Sequence, residues 1–180
     1  MKKFFFAFSV LFLMMSCGSS RSFQHFFDAH KTDIGVTAFQ VPNFMKSILS
    51  KISPKEGMFN NLTDFKFITF NSMTAQNQMN LINEMNIVAS HKYTDMFRKN
   101  TVENTKIISV KELGNIVTEA IVFDSKLEKT TIFFIKGQFD PEKIKAFSDD
   151  NAFEDFSRKL QQEYQLNINT KLNPSFNPNN

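Results

Sequence analysis

TKIISVKELGNIVTEAIVFDSKLEKTTIFFIKG, residues 105–137, decides the fold. Three runs rich in β-branched and aromatic residues (105–113, 116–124 and 130–137) follow one another with no room for a helix between them. Gly114-Asn115 is a two-residue hairpin signal, because both residues tolerate the positive φ that tight hairpin turns need. The segment SKLEK, 125–129, reads as a longer turn. The second and third runs are apolar at both parities, as is 65–70. Strands of that kind are buried on both faces, so helices or a partner should cover parts of both sides of the sheet.

On the C-terminal side, FDPEKIKAF opens a helical region, with Asp140 as N-cap and Pro141 in the first turn. Asp149-Asp150-Asn151 reads as a break, and Asn151 with Glu154 resembles a capping box. Phe153, Phe156, Leu160 and Tyr164 then fall within about 60° of one another on a helix. The segment 166–180 has two prolines, many asparagines and no acid, and reads as a disordered tail.

Towards the N-terminus, a helix is expected to begin near Ser72 to Thr74, with Leu81, Ile82, Met85, Val88 and Ala89 as its buried stripe. It is expected to break near Ser90 and resume through YTDMFRK, 93–99. DFKFITF (64–70) reads as a strand, and a helix opened by Pro42 and Asn43 runs to Ile52. Residues 34–41 form a first strand, and SFQHFFDAHK (22–31) forms a short helix with Phe23, Phe26, Phe27 and His30 on one face. The expected fold is therefore α+β, a mostly antiparallel five-stranded sheet with a β-α-β-α-β-β-β-α core, preceded by a short N-terminal helix. The first β-α-β crossover would admit one parallel pair. Residues 22–165 are expected to form a single domain.

The chain begins Met1-Lys2-Lys3, and the twelve residues that follow, FFFAFSVLFLMM, carry no charge. As a helix they would span about 18 Å, short of the roughly 30 Å hydrocarbon core of a bilayer, so they fit an export signal better than a membrane span. Cys17, the only cysteine, follows directly after Ser16. Leu13-Met14-Met15-Ser16-Cys17 resembles the lipobox of bacterial lipoproteins, with Met14 where Leu is usual. The resemblance implies a diacylglyceryl group on the Cys17 sulfur, cleavage between Ser16 and Cys17 that removes residues 1–16, and a lipidated tether over 17–21. The bilayer would then be a partner of the chain through acylated Cys17. Two or three acyl chains hold far more firmly than one.

Of 21 Lys and Arg, Lys2 and Lys3 would leave with the signal, so 19 cations would face 18 acids. That balance provides no basic stripe for nucleic acid. With Cys17 acylated there is no thiol for a disulfide or a metal site, and packing must hold the fold. Phe supplies much of it: 18 of the 23 lie beyond the signal.

The passage YTDMFRKN…TKIISVKELGNIVTEAIVFDSKLEKTTIFFIKGQFDPEKIKAF resembles the family called domain of unknown function 4252. The likeness extends back through DIGVTAFQVPNFMKSILSKISP and FKFITF, over roughly residues 33–160. The strand VTEAIVF, with its central acid, and the strand-Gly-acid-helix passage IFFIKGQFDPEKI are the telling features. The resemblance implies a small bacterial lipoprotein, mainly a Bacteroidota type, whose function is unestablished; it supplies no active-site residues.

Two features could carry chemistry. His25, Asp28 and His30 are close in sequence, but helical spacing puts His30 about 140° from His25, which opposes a shared metal. Glu119 sits mid-strand among apolar residues, where a buried carboxylate could act as a general acid or base. Lys106, Lys111 and Lys136 on candidate neighbouring strands favour a cross-strand ion pair instead. No phosphate loop or dinucleotide fingerprint occurs, and no cofactor or nucleotide is expected.

The expected role is a non-catalytic binding or accessory domain anchored in the cell envelope, with an envelope protein as one conceivable partner. The alternatives are an envelope hydrolase using Glu119 or another carboxylate, and an envelope-stress or regulatory accessory protein. Gly18, rather than Asp, follows Cys17, which by analogy with lipoprotein sorting points to the periplasmic face of the outer membrane.

Overall fold

The computed structural model describes residues 22–42, 45–90 and 92–172, with side chains through residue 166. The signal, Ser16, Cys17, the 17–21 tether, Asn43 and residues 173–180 lie outside the described residues. The elements run α1 (Phe23–His30), β1 (Val36–Gln40), α2 (Lys46–Ile52), β2 (Leu62–Asn71), α3 (Ala75–Ala89), β3 (Thr94–Asn100), β4 (Asn104–Leu113), β5 (Ile116–Lys126), β6 (Lys129–Phe139), α4 (Pro141–Lys145), a 3₁₀ turn (Ala146–Ser148) and α5 (Asp150–Leu172).

The sheet has six strands, not five, in the order β1-β2-β6-β5-β4-β3. The extra one is β3, in the stretch expected to continue a helix. Its residues pair with Asn104-side β4 from Asn100↔Thr105 to Thr94↔Val110, with a bulge between Asp95 and Phe97. The bulge lets the consecutive Met96 and Phe97 both pack against the same core, which neither helical spacing nor plain alternation would predict. All pairs are antiparallel, including β1 with β2, so the early crossover makes no parallel pair. β1 and β3 form the edges.

Gly114 does take a positive φ of 63°, and Leu113 faces Ile116 across the turn. The β5–β6 connection is shorter than expected: Lys126 pairs with Lys129, leaving only Leu127 and Glu128 in the turn, and Glu128 adopts φ 63°. Asp140 caps α4 by accepting from the Glu142 N–H at 2.9 Å. α5 is capped by Asp149, which accepts from the Ala152 N–H at 2.8 Å, rather than by an Asn151–Glu154 box. The helix runs on to Leu172, past the point where the sequence reads as tail.

Alternation along the strands splits the core in two. Ile108, Val110, Ala120, Val122, Phe133 and Ile135 face α2, α4 and α5, where Phe133 stacks on Phe153 at 4.8 Å and meets Phe147 edge-on at 5.1 Å. Ile107, Ile121, Phe123, Ile132 and Phe134 face α1 and α3, with Phe23 stacked on Phe134 at 5.1 Å. Both faces are thus covered by the chain's own helices. Each buried Phe contributes about 2–3 kcal/mol.

Gly137 in the IFFIKGQF passage has a steric reason. A Cβ there would clash with the carbonyl oxygen of Asn61 and sit 2.9 Å from Cζ of Phe139, beside the irregularity between Leu62 and Asp64 in β2.

Candidate functional site

Lys106, Asp124 and Thr131 stand on adjacent strands and point to the α5 face, continuing the rows of Ile108, Val122 and Phe133. Lys106 is completely buried (0% exposed) and Asp124 is 5% exposed. A lone ammonium there would be prohibitively costly. Three groups compensate it: Asp150 from the first turn of α5 forms an ion pair with Nζ, Asp124 Oδ1 lies 3.8 Å away, and the Phe153 ring centroid lies 4.8 Å from Nζ. Asp150 also pairs with Lys99 of β3 at 3.2 Å. The hydrogen bond from Lys106 leads in holding Asp150 below the usual carboxylate range, with Lys99 adding to it against the opposing effect of burial. Burial instead pushes the Asp124 carboxyl up, against the pull of Lys106 and Lys126. The group latches the start of α5 to the sheet floor.

Beyond the latch, α5 and the β5–β6 hairpin leave an open cleft of about 630 Å³. Its floor includes Asp124 and Thr131, its hairpin side Lys126, Leu127 and Lys129, and its helix side Glu154, Asp155, Arg158 and Gln161. Lys126 is paired with Glu154 across the cleft, and Arg158 with Asp155 along the helix. Two side-chain atoms beside the cleft are shielded from water without a hydrogen bond: Gln161 Nε2, and Asp124 Oδ1, which faces the Lys106 ammonium at 3.8 Å. Thr69 and Thr131 satisfy each other at 3.0 Å.

Glu119 lies on the opposite face, 18% exposed in its side chain. It accepts from the Tyr93 hydroxyl at 2.7 Å, and Lys111 and Lys136 flank it at 3.7 and 3.8 Å. The ion pair expected from the sequence therefore forms with two of the three candidate lysines; the third, Lys106, belongs to the latch. Burial and then the Glu119 contact push the Tyr93 hydroxyl well above its ordinary range.

His25, Asp28 and His30 do not converge. Asp28 accepts from Gln24 at 2.6 Å and Lys31 at 2.7 Å. His30 turns inward against Phe26 and Phe70, its Nδ1 2.8 Å from Asp33 and its Nε2 3.0 Å from Glu84 of α3. The two carboxylates stand on opposite ring nitrogens and cannot share one ion. Burial lowers the imidazole pKa, but the hydrogen bonds to Asp33 and Glu84 outweigh it, and the net shift is upward. His30 also lines a smaller cleft of about 300 Å³ with Asp33, Asn77 and Glu84. Among the described residues no group of three or more His, Cys, Asp and Glu is placed to hold a metal ion, and no helix is long and apolar enough to cross a membrane.

The sequence reading missed the latch. It treated Asp149-Asp150 as a break and considered Lys106 only as a partner for Glu119. The available signal was parity: Lys106 shares a strand face with Ile108 and Val110, and Asp124 with Ala120 and Val122.

Fold and site together define an α+β domain: an antiparallel sheet covered on both faces, with a latched terminal helix beside a polar cleft. The chain belongs to the family described as domain of unknown function (DUF4252), which matches residues 30–147. The match includes the latch residues Lys106 and Asp124 and the hairpin side of the cleft, and ends before α5. No curated protein and no solved structure matches the chain.

Proposed function

We propose that this is a lipid-anchored envelope domain that holds another envelope component in the cleft between α5 and the β5–β6 hairpin, without transforming it. In this reading, residues 1–16 are the export signal, acylated Cys17 fixes the chain to a bilayer at the periplasmic face of the outer membrane, and 17–21 form the tether. The cleft carries the reading. It combines a fixed floor with opposite charges paired across and along its rim, which are features of a preformed binding site. The sheet faces are occupied by the chain's own helices, so the groove takes the place of a sheet-face docking surface.

Two measurements test it. Cys17→Ser should move the protein from the membrane to the soluble envelope fraction. A photo-crosslinking residue at Leu127, which is 74% exposed at the cleft mouth, should yield a specific adduct in native cells, while the same residue at Met79 on α3 should not. Equal labelling at both positions, or none at Leu127, defeats the cleft reading.

The hydrolase alternative loses Glu119, whose carboxylate is taken up by Tyr93 and two lysines. Its better candidate is Asp124, a carboxyl raised by burial at the floor of a cleft. Under that reading Asp124→Asn would abolish turnover of a bound polymer while leaving its affinity intact.

A further inference from the structure

Resting on the Cys17 anchor, we propose that Leu113 and Ile116, at the tip of the β4–β5 hairpin, contact the bilayer that holds the lipid, so that the cleft is displayed at the far end of the sheet. The two residues pair directly across the Gly114-Asn115 turn and are 77% and 45% exposed. A directly opposed pair makes one continuous apolar patch rather than two scattered side chains. Lys111 and Lys136 stand behind the tip, but they flank Glu119, and Glu112 adjoins them. These charges balance, so the contact is apolar and needs no anionic lipid.

The direction of α1 and the length of chain before it choose this occupant. Phe23 stacks on Phe134, whereas Phe26 and His30 lie against Phe70. Phe70 pairs with Thr130, four residues from Phe134 along β6. α1 therefore runs along the strands, its C-terminus towards the β5–β6 turn and its N-terminus towards the β4–β5 turn. Ile121 sits opposite Phe134, and Ile116 is five residues further along β5, about 16 Å at the usual strand rise. Cys17 stands five residues before Ser22, the N-cap of α1, and five residues reach at most about 18 Å. An acylated Cys17 thus comes level with the hairpin tip by continuing the way α1 points.

The opposite end of the sheet also carries exposed aliphatic side chains, Ile34, Val102 and Leu127. Each lies two positions beyond a row of paired residues that crosses all six strands from Val36 to Asn100. That end is six residues from Phe134 in the other direction, about 20 Å, and lies beyond the same tether. Leu127 at the cleft mouth therefore faces away from the membrane, towards components that are not lipid.

The test uses the full mature chain, acylated at Cys17 so that an added cysteine is its only thiol, in phosphatidylcholine vesicles carrying doxyl-labelled lipid. Leu113→Cys and Leu127→Cys are each labelled with an environment-sensitive dye. The expected result is a blue shift and doxyl quenching at 113, with neither at 127. Equal quenching at both positions, quenching at 127 alone, or no quenching at 113 overturns the proposal. A blue shift at 113 without quenching overturns it in favour of a second copy of the chain on the tip. Intact mass of the protein from its native host separates this inference from the anchor. An acylated chain unquenched at 113 removes the docked hairpin and keeps the anchor, whereas an unmodified Cys17 removes both.

Discussion

The ammonium of Lys106 lies 4.8 Å from the centre of the Phe153 ring, wholly buried between the sheet and the first turns of α5. The same nitrogen pairs with Asp150 of that helix. One cation therefore holds the last helix through both its charge and its face against an aromatic ring. Lys106→Met should destabilise the domain by about 3 kcal/mol, the cost of stripping one partner from a buried pair. The loss should deepen as pH rises from 5 to 8, because Asp124, already pushed up by burial, must then ionise without its cation. Adding Asp124→Asn should return part of the loss. Urea unfolding of the two single variants and the double variant at both pH values checks the coupling.

His30 ties α1 to α3 through a proton. Both ring nitrogens face carboxylates, and a neutral imidazole can donate from only one of them. The folded-state pKa is raised above the ordinary 6.5. The corresponding stabilisation is fully present below pH 6.5 and is lost as the pH rises through the folded-state value. An NMR titration of the His30 ring should give a midpoint above 6.5, and His30→Gln should flatten the fall in thermal stability across that window.

Glu128 holds a left-handed backbone that costs most side chains about 1 kcal/mol. Glu128→Gly or Glu128→Asn should stabilise the chain by about 0.5–1 kcal/mol and raise its melting temperature by a few degrees. A calorimetric scan showing no gain would mean that the turn relaxes at no cost in the wild type.

Gly137 has no room for a methyl group next to Asn61 and Phe139. Gly137→Ala should cost about 1–3 kcal/mol, as overpacking does elsewhere. Hydrogen exchange should show the loss concentrated where β2 begins, since the Gln138 N–H donates to the Asn61 carbonyl there.

What could be read directly from the sequence was whatever repeats locally. The β4–β5 hairpin follows from Gly114-Asn115 between β-branched runs, the buried faces of α1 and α3 follow from apolar spacing, and Asp140-Pro141 marks a helix start whatever lies around it. β3 was hidden because its ladder partner is β4 and its bulge breaks the alternation at Met96-Phe97. The latch was hidden for a similar reason. Nothing around Lys106 announces burial, and its compensating acid lies 44 residues further along the chain at Asp150. The cleft lies between α5 and the β5–β6 hairpin, two elements brought together by packing and marked by no motif.

The two rims of the sheet bear on what happens when copies of the molecule meet side-on. β1 offers five residues of open backbone, while β3 is bent at Met96 and fringed by Arg98 and Lys99. A neighbouring molecule arriving side-on finds no long, flat ladder to extend, only a short stub or a crooked edge fringed by charged side chains. The molecule can thus be packed densely with its own kind without being stitched into fibres.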